Sequence, residues 1–267
     1  MCVLDKKQAA HVGVLLMVLL MAACGRKPML EVTFALPEAA EQQRVEFLAF
    51  YISNPYFILK DGQKLPAELD DTKPWQSNTV ALIKLHCLSE NCGRQLVLKP
   101  PRTKAHNIQG VGFDIGVPFE QNHSNPLLAP APLNDDAMFW VWQQGHKFLR
   151  LDLSNTASQG GVVFHIGSVG CAASSVMRAP SSACAQPNIL ALEFPVFDVN
   201  ENKLEFQLAS FGSPAGNEVL HCTGDYAGKP DCAALFSQLG MSLSEGQCDP
   251  VCNAGYLFSV VQRGIND

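Results

Sequence analysis

The chain is poor in charge. Only 16% of its residues are charged, and 25 acidic side chains against 19 basic ones leave a net charge of -6. No basic stripe or patch stands out, and an acidic surface repels a phosphate backbone, so nucleic acid is not an expected partner. No glycine-rich loop lies between a strand and a helix, which removes the usual phosphate cradle. No serine has nucleophile-elbow spacing, and no pair of carboxylates is set apart as acid and base, so hydrolytic chemistry lacks its parts. No HExxH motif and no close His-Cys motif occurs. Tryptophan is also scarce. There are three, and two of them, Trp140 and Trp142, are one residue apart.

Long apolar runs are missing as well. The one near the start, Val12 to Ala23, follows Lys6 and Lys7 and is too short to span a bilayer comfortably. It reads as a signal peptide over residues 1–23. The run ends LMAAC, which resembles the lipobox of bacterial lipoproteins and makes Cys24 the candidate for lipidation. Gly25 is not the acidic residue that signals inner-membrane retention. The expectation is therefore an exported protein, in the periplasm or on the cell surface, attached to the outer membrane through a lipid anchor. Residues 24–267 are long enough to bury a sizeable core as a single domain.

Of ten cysteines, Cys2 and Cys24 belong to the leader and the anchor. The other eight are Cys87, Cys92, Cys171, Cys184, Cys222, Cys232, Cys248 and Cys252. An even number in an exported chain suggests disulfides. Their close spacing suggests four local pairs, 87 with 92, 171 with 184, 222 with 232, and 248 with 252. Sequence alone leaves roughly 100 complete pairings open. A thiolate metal site is the rival reading, but no pair has the two-residue spacing of zinc ligands.

Short alternating or β-branched runs recur along the chain. They include EVTFAL, RVEFLAFYI, NTVALIKLHCL, RQLVLK, VGFDIGVPF, GGVVFHIGSVG, KLEFQLASF and YLFSVVQR. Turn signals such as Asp61-Gly62 separate them. The pattern predicts a mostly β protein. We expect an antiparallel β-sandwich-like single domain with long loops and one or two short helices, braced by disulfides. One helix is expected from about Asn134, with Asp135 and Asp136 in its first turn and Gly145 at its end. The other is CAALFSQLG, opened by Asp231 and stopped by Gly240. NPLLAPAPLND, restrained by its prolines, reads as an ordered loop.

The segment LNDDAMFWVWQQGHKFLRLD poses the main question. As a helix it would put Met138 and Trp142 on one face with Trp140 turned away. As a strand it would point both tryptophans the same way. Either arrangement suits ordinary packing, which is what tryptophan usually does. His123 in a loop and His165 in a strand could converge as metal ligands, since neutral imidazoles bind copper and zinc well. His86, His146 and His221, each beside a cysteine or lysine, are weaker candidates. His106 sits in an exposed-turn sequence.

Several blocks together resemble one family. They are YISNPYFILKDG, Trp75-Gln76, HSNPLLAPAPLNDDAMFWVWQQGHKFLRLD, FHIGSVGC, Cys184 with the following PN, and CTGDYAGKPDCAALFSQLG. From about residue 30 onward the chain resembles the exported MbnP-like copper-binding proteins, including those with a four-cysteine motif. The resemblance assigns the family's four cysteines to Cys171, Cys184, Cys222 and Cys232, with the other four as additional pairs. Relatives commonly carry tyrosine where this chain has His146, which puts another imidazole near the tryptophans.

The resemblance also implies a function. In such proteins a partner di-haem peroxidase-like enzyme oxidises a tryptophan to kynurenine, and histidines hold copper together with the modified residue. Indole is a poor ligand because its nitrogen lone pair belongs to the ring, and ring opening supplies an aromatic amine. The implied site is His123, His165 and Trp142 as kynurenine, with Trp140 as the alternative and Met138 as a soft neighbour. Such a set suits Cu(I), which prefers few, soft donors. The implied role is copper storage, transport or sensing rather than catalysis. A metal-free structural or interaction module on the cell surface is the competing reading, and a copper redox enzyme a more remote one.

Overall fold

The computed structural model describes residues 28–264, apart from 40, 88–91, 102–106, 126, 213–216, 225 and 227. The expected signal peptide over residues 1–23, Cys24 and His106 lie outside the described residues. The strands are β1 (Leu30–Ala35), β2 (Gln43–Leu59), β3 (Lys64–Pro66), β4 (Val80–Lys84), β5 (Gln95–Leu98), β6 (Ile108–Ile115), β7 (Leu149–Asn155), β8 (Gly161–Ile166), β9 (Leu190–Phe194), β10 (Asn202–Phe206), β11 (Val219–Thr223), β12 (Met241–Ser242), β13 (Gln247–Cys248) and β14 (Phe258–Gln262). Among the described residues three short α-helices interrupt them, α1 (Phe119–Asn122), α2 (Pro230–Gln238) and α3 (Ala254–Leu257).

Alternation builds the inner faces. In β1, Leu30, Val32 and Phe34 are buried while the residues between them are not, as period-two pleating requires. A four-stranded sheet runs β14-β10-β1-β5, and a larger one runs β11-β8-β7-β2-β6-β9 with β3 and β4 also on β2. The two meet through aromatic rings. Phe34 and Phe258 from the small sheet pack edge-on against Phe50 of β2 at 5.3 and 5.4 Å, and Phe34 against Phe113 of β6 at 5.9 Å. Such T-shaped contacts are favoured by the ring quadrupoles.

The 17-residue β2 organises the larger sheet. Ala49 and Phe50 pair with β7 on one edge and β4 on the other, while Ile52 and Ser53 pair with β4 and β6. Hence β6 and β7 share one edge end to end. A register shift between Ser53 and Tyr56, where Asn54 has φ 49°, curls the sheet at the join.

The fold class agrees with the sequence reading, and all four local disulfides are formed. Two details differ. The sheets are not wholly antiparallel: β1 pairs with β10 and β8 with β11 in parallel. The helix expected from Asn134 to Gly145 is reduced to one 3-10 turn, Asp136–Met138. Phe139 is already extended and bridges to His146, so tertiary pairing overrides the local helix signals. The second helix is present as α2, with Pro230 in its first turn and Gly240 at φ 75° just beyond it.

Candidate metal centre

The tryptophan segment is an irregular hairpin. Its arms join at the Phe139-His146 bridge, with Lys147 N–H donating to Met138 O at 2.7 Å and Trp140 N–H to Gly145 O at 3.0 Å. Gly145 turns the chain at φ 76°. A Cβ there would come within 2.4 Å of Asn122 Oδ1, so a bare backbone lets the hairpin close over α1.

Trp142 and His123 hold each other. The Trp142 indole Nε1–H donates to His123 O at 2.9 Å, and His123 Nδ1 lies 3.4 Å from Trp142 O. A carbonyl only accepts, so Nδ1 carries the proton. The lone pair is then on Nε2, which meets the Asn122 amide nitrogen at 3.2 Å and Cys184 Sγ at 3.4 Å. Burial holds the His123 pKa below its ordinary 6.5, against the opposite pull of the Trp142 carbonyl and Glu120. The ring is therefore neutral near pH 7 and able to donate to a metal.

Asn122 is the hub of this end of the protein. It is fully buried. Its Oδ1 accepts the His146 backbone N–H at 2.7 Å, and its amide nitrogen reaches His123 Nε2 and, at 3.4 Å, Ser168 Oγ. Sequence reasoning missed it, since an asparagine at the end of a four-residue helix carries no motif. His146 is also buried. Its Nε2 lies 2.9 Å from Leu133 O and its Nδ1 3.2 Å from Asn122 Oδ1; the neutral ring has one N–H and donates to one of these two acceptors. Burial lowers its pKa too, against the carbonyls of Leu133 and Asn122.

His165 lies on β8, on the opposite face from Phe164. Its Nε2 is 2.6 Å from Asp152 Oδ1, and Asp152 is gripped through its other oxygen by Arg150 at 2.6 and 2.8 Å. Burial alone would raise the Asp152 pKa, but the bonds from His165 and Arg150 outweigh it and keep the carboxyl ionised. An anionic acceptor fixes the Nε2–H tautomer of His165. Nδ1 is left as the donor atom, in the carboxylate-histidine arrangement common behind metal ligands. Two residues further on, a Cβ on Gly167 would come within 2.5 Å of the Trp140 ring.

Each tryptophan therefore sits by one of the two expected histidines, Trp142 by His123 and Trp140 over the chain just beyond His165. The two imidazoles make no contact with each other among the described residues. Asn122, which bonds His123, also reaches Ser168 Oγ, three residues beyond His165 in the chain. Met138 is fully buried in the core. His86 and His221 are exposed on the surface.

His123 also stands in a trio with Cys171 and Cys184, whose ligand atoms all lie within 4.8 Å of one another. These cysteines are bonded to each other. A disulfide offers no thiolate, so His123 is the only effective donor of the trio in the oxidised protein.

The MbnP family model matches residues 21–217. Among solved structures, MbnP from Methylosinus trichosporium is similar with a TM-score of 0.75. The match is 22% identical and covers 89% of this chain and 99% of that one. Comparison with curated protein sequences finds no match.

Proposed function

Because the chain belongs to the MbnP family, we propose that it is an exported copper-binding protein that handles copper without catalysing a reaction. The copper ligands in this reading are His123, His165 and Trp142 oxidised to kynurenine, with Trp140 as the alternative. The observation that carries it is the reciprocal His123-Trp142 contact, in which each ring is bonded to the other residue's backbone carbonyl. It ties a neutral imidazole to the side chain that would become a ligand. The donor chemistry fits the metal, since neutral imidazoles and an aromatic amine suit Cu(I) at low coordination. When bound, copper would be cargo held for storage, transport or sensing.

In this reading the protein's own groups do the preparation. Trp142 O keeps the His123 proton on Nδ1, and Asp152 keeps the His165 proton on Nε2. Each imidazole thus presents one defined lone pair. A di-haem peroxidase-like partner would carry out the tryptophan oxidation, and a lipid at Cys24 would hold the protein at the outer membrane. The test is Cu(I) titration against a competing chelator, alongside intact-mass and peptide mapping of protein co-produced with the haem enzyme. His123→Ala and His165→Ala should each abolish stoichiometric binding, and kynurenine should map to residue 142. Unchanged stoichiometry and affinity in both variants would reject the ligand set.

A further inference from the structure

We propose that the Cys171-Cys184 bridge is a masked pair of metal ligands: on reduction, its two thiolates and Nε2 of His123 become a second, sulfur-rich site for Cu(I). The inference rests on the reading above only for the identity of the metal. It shares His123 with that site, so the two are alternatives selected by redox state.

The three ligand atoms are already within 4.8 Å of one another, the one such trio of His, Cys or acidic residues among the described residues. Three donors about 2.0–2.3 Å from one metal lie roughly 3.5–4 Å apart, so the sulfurs need only separate by a side-chain rotation. The lone pair of His123 already points to this side, with Nε2 3.4 Å from Cys184 Sγ. Two thiolates and an imidazole form a softer donor set than imidazoles and an amine, and soft sulfur selects Cu(I).

The backbone keeps the thiols together when the bridge opens. Val169 and Gln186 exchange a pair of hydrogen bonds at 2.9 and 3.0 Å, and Ala185 N–H donates to Gly170 O at 3.2 Å. Gln143 of the tryptophan hairpin donates through its side chain to Cys171 O at 2.7 Å. The ligand pair is thus held two residues from a β-bridge that does not depend on the sulfurs. The bridge is also less sealed than Cys222-Cys232. Cys171 and Cys184 are 7% and 8% exposed, whereas Cys222 and Cys232 are at 0%.

The chemistry balances with a dithiol as reductant. A reductant thiolate attacks one sulfur, the Cys171-Cys184 bond breaks, and a mixed disulfide forms. The reductant's second thiol then closes its own disulfide and releases both cysteines as thiols, two electrons and two protons having passed to the protein. Cu(I) binding to both sulfurs releases those two protons to solvent.

The purified protein carrying His165→Ala is compared before and after treatment with dithiothreitol and anaerobic desalting. Cu(I) is then titrated against bicinchoninate, and copper X-ray absorption reads the donor atoms. We expect reduction to add one tightly bound Cu(I) with two sulfur and one nitrogen neighbours. Adding Cys171→Ala with Cys184→Ala should remove that gain although the other three bridges are still reduced. His123→Ala, which leaves every cysteine in place, should keep the sulfur signal, lose the nitrogen and weaken binding at least about tenfold. A gain that survives the double cysteine substitution, or an unchanged spectrum and affinity in His123→Ala, overturns the proposal. Sulfur-and-nitrogen binding by the reduced protein, with none by unreduced wild type co-produced with the haem enzyme and carrying kynurenine, upholds it and counts against the copper reading above.

Discussion

Asn122→Ala removes one side chain on which three neighbours depend. The His146 backbone N–H, now 2.7 Å from Asn122 Oδ1, is left buried without its acceptor, a loss of about 1–3 kcal/mol. The two longer contacts of the amide nitrogen, to His123 Nε2 and Ser168 Oγ, contribute about 0.5 kcal/mol each at most by the same reasoning. A void of roughly 25 Å³ adds about 0.6 kcal/mol. The sum is about 3 kcal/mol. Urea unfolding followed by tryptophan fluorescence on the disulfide-intact protein should show a midpoint lower by about 1 M or more. A loss below about 1 kcal/mol would mean that water satisfies the His146 N–H, and the sealed hub described above would be wrong.

Other substitutions test other parts of the same region. Asp152→Asn should leave the fold intact but weaken Cu(I) binding about 10–100-fold, because His165 loses the anion that fixes its tautomer; chelator competition reads this, and unchanged affinity would remove Asp152 from the site. Gly145→Ala puts a Cβ at positive φ and within 2.4 Å of Asn122 Oδ1, so its thermal midpoint should fall by several degrees, a loss of about 2 kcal/mol or more. Stability should also depend on pH. The folded pKa values of His123 and His146 lie below the ordinary 6.5, so below about pH 6.5 the unfolded chain binds more protons, and stability is lost as pH falls toward the folded values. Urea midpoints at pH 7.5, 6.5 and 5.5 should decline in that order, and His146→Asn should flatten the decline.

The features legible in the sequence were those with a local cause. Strand alternation in LEVTFA follows from pleating. The four disulfides follow from short loops between their cysteines, and α2 from a proline at its start and a glycine past its end. His165 was placed correctly on a strand, opposite in face to Phe164. What was not legible arose from distant partners. The parallel pairings of β1 with β10 and β8 with β11 join segments far apart in sequence. The tryptophan segment has good helix-start residues, yet the Phe139-His146 bridge draws it into a hairpin. Asp152 reads as one polar position in an alternating strand. Only the β7-β8 register, with Arg150 opposite His165, brings it within reach of the imidazole.

The four-fold partnership of β2 has a consequence for how the molecule opens. Its residues are hydrogen-bonded to β3, β4, β6 and β7, so neither portion of the larger sheet can peel away without disturbing a strand that the other portion shares. Regions held this way exchange their amide protons only through global unfolding. Deuterium should therefore enter the loop between Cys171 and Cys184 long before it reaches Leu48 to Ile52, and the slowest amides there should report the free energy of the whole fold.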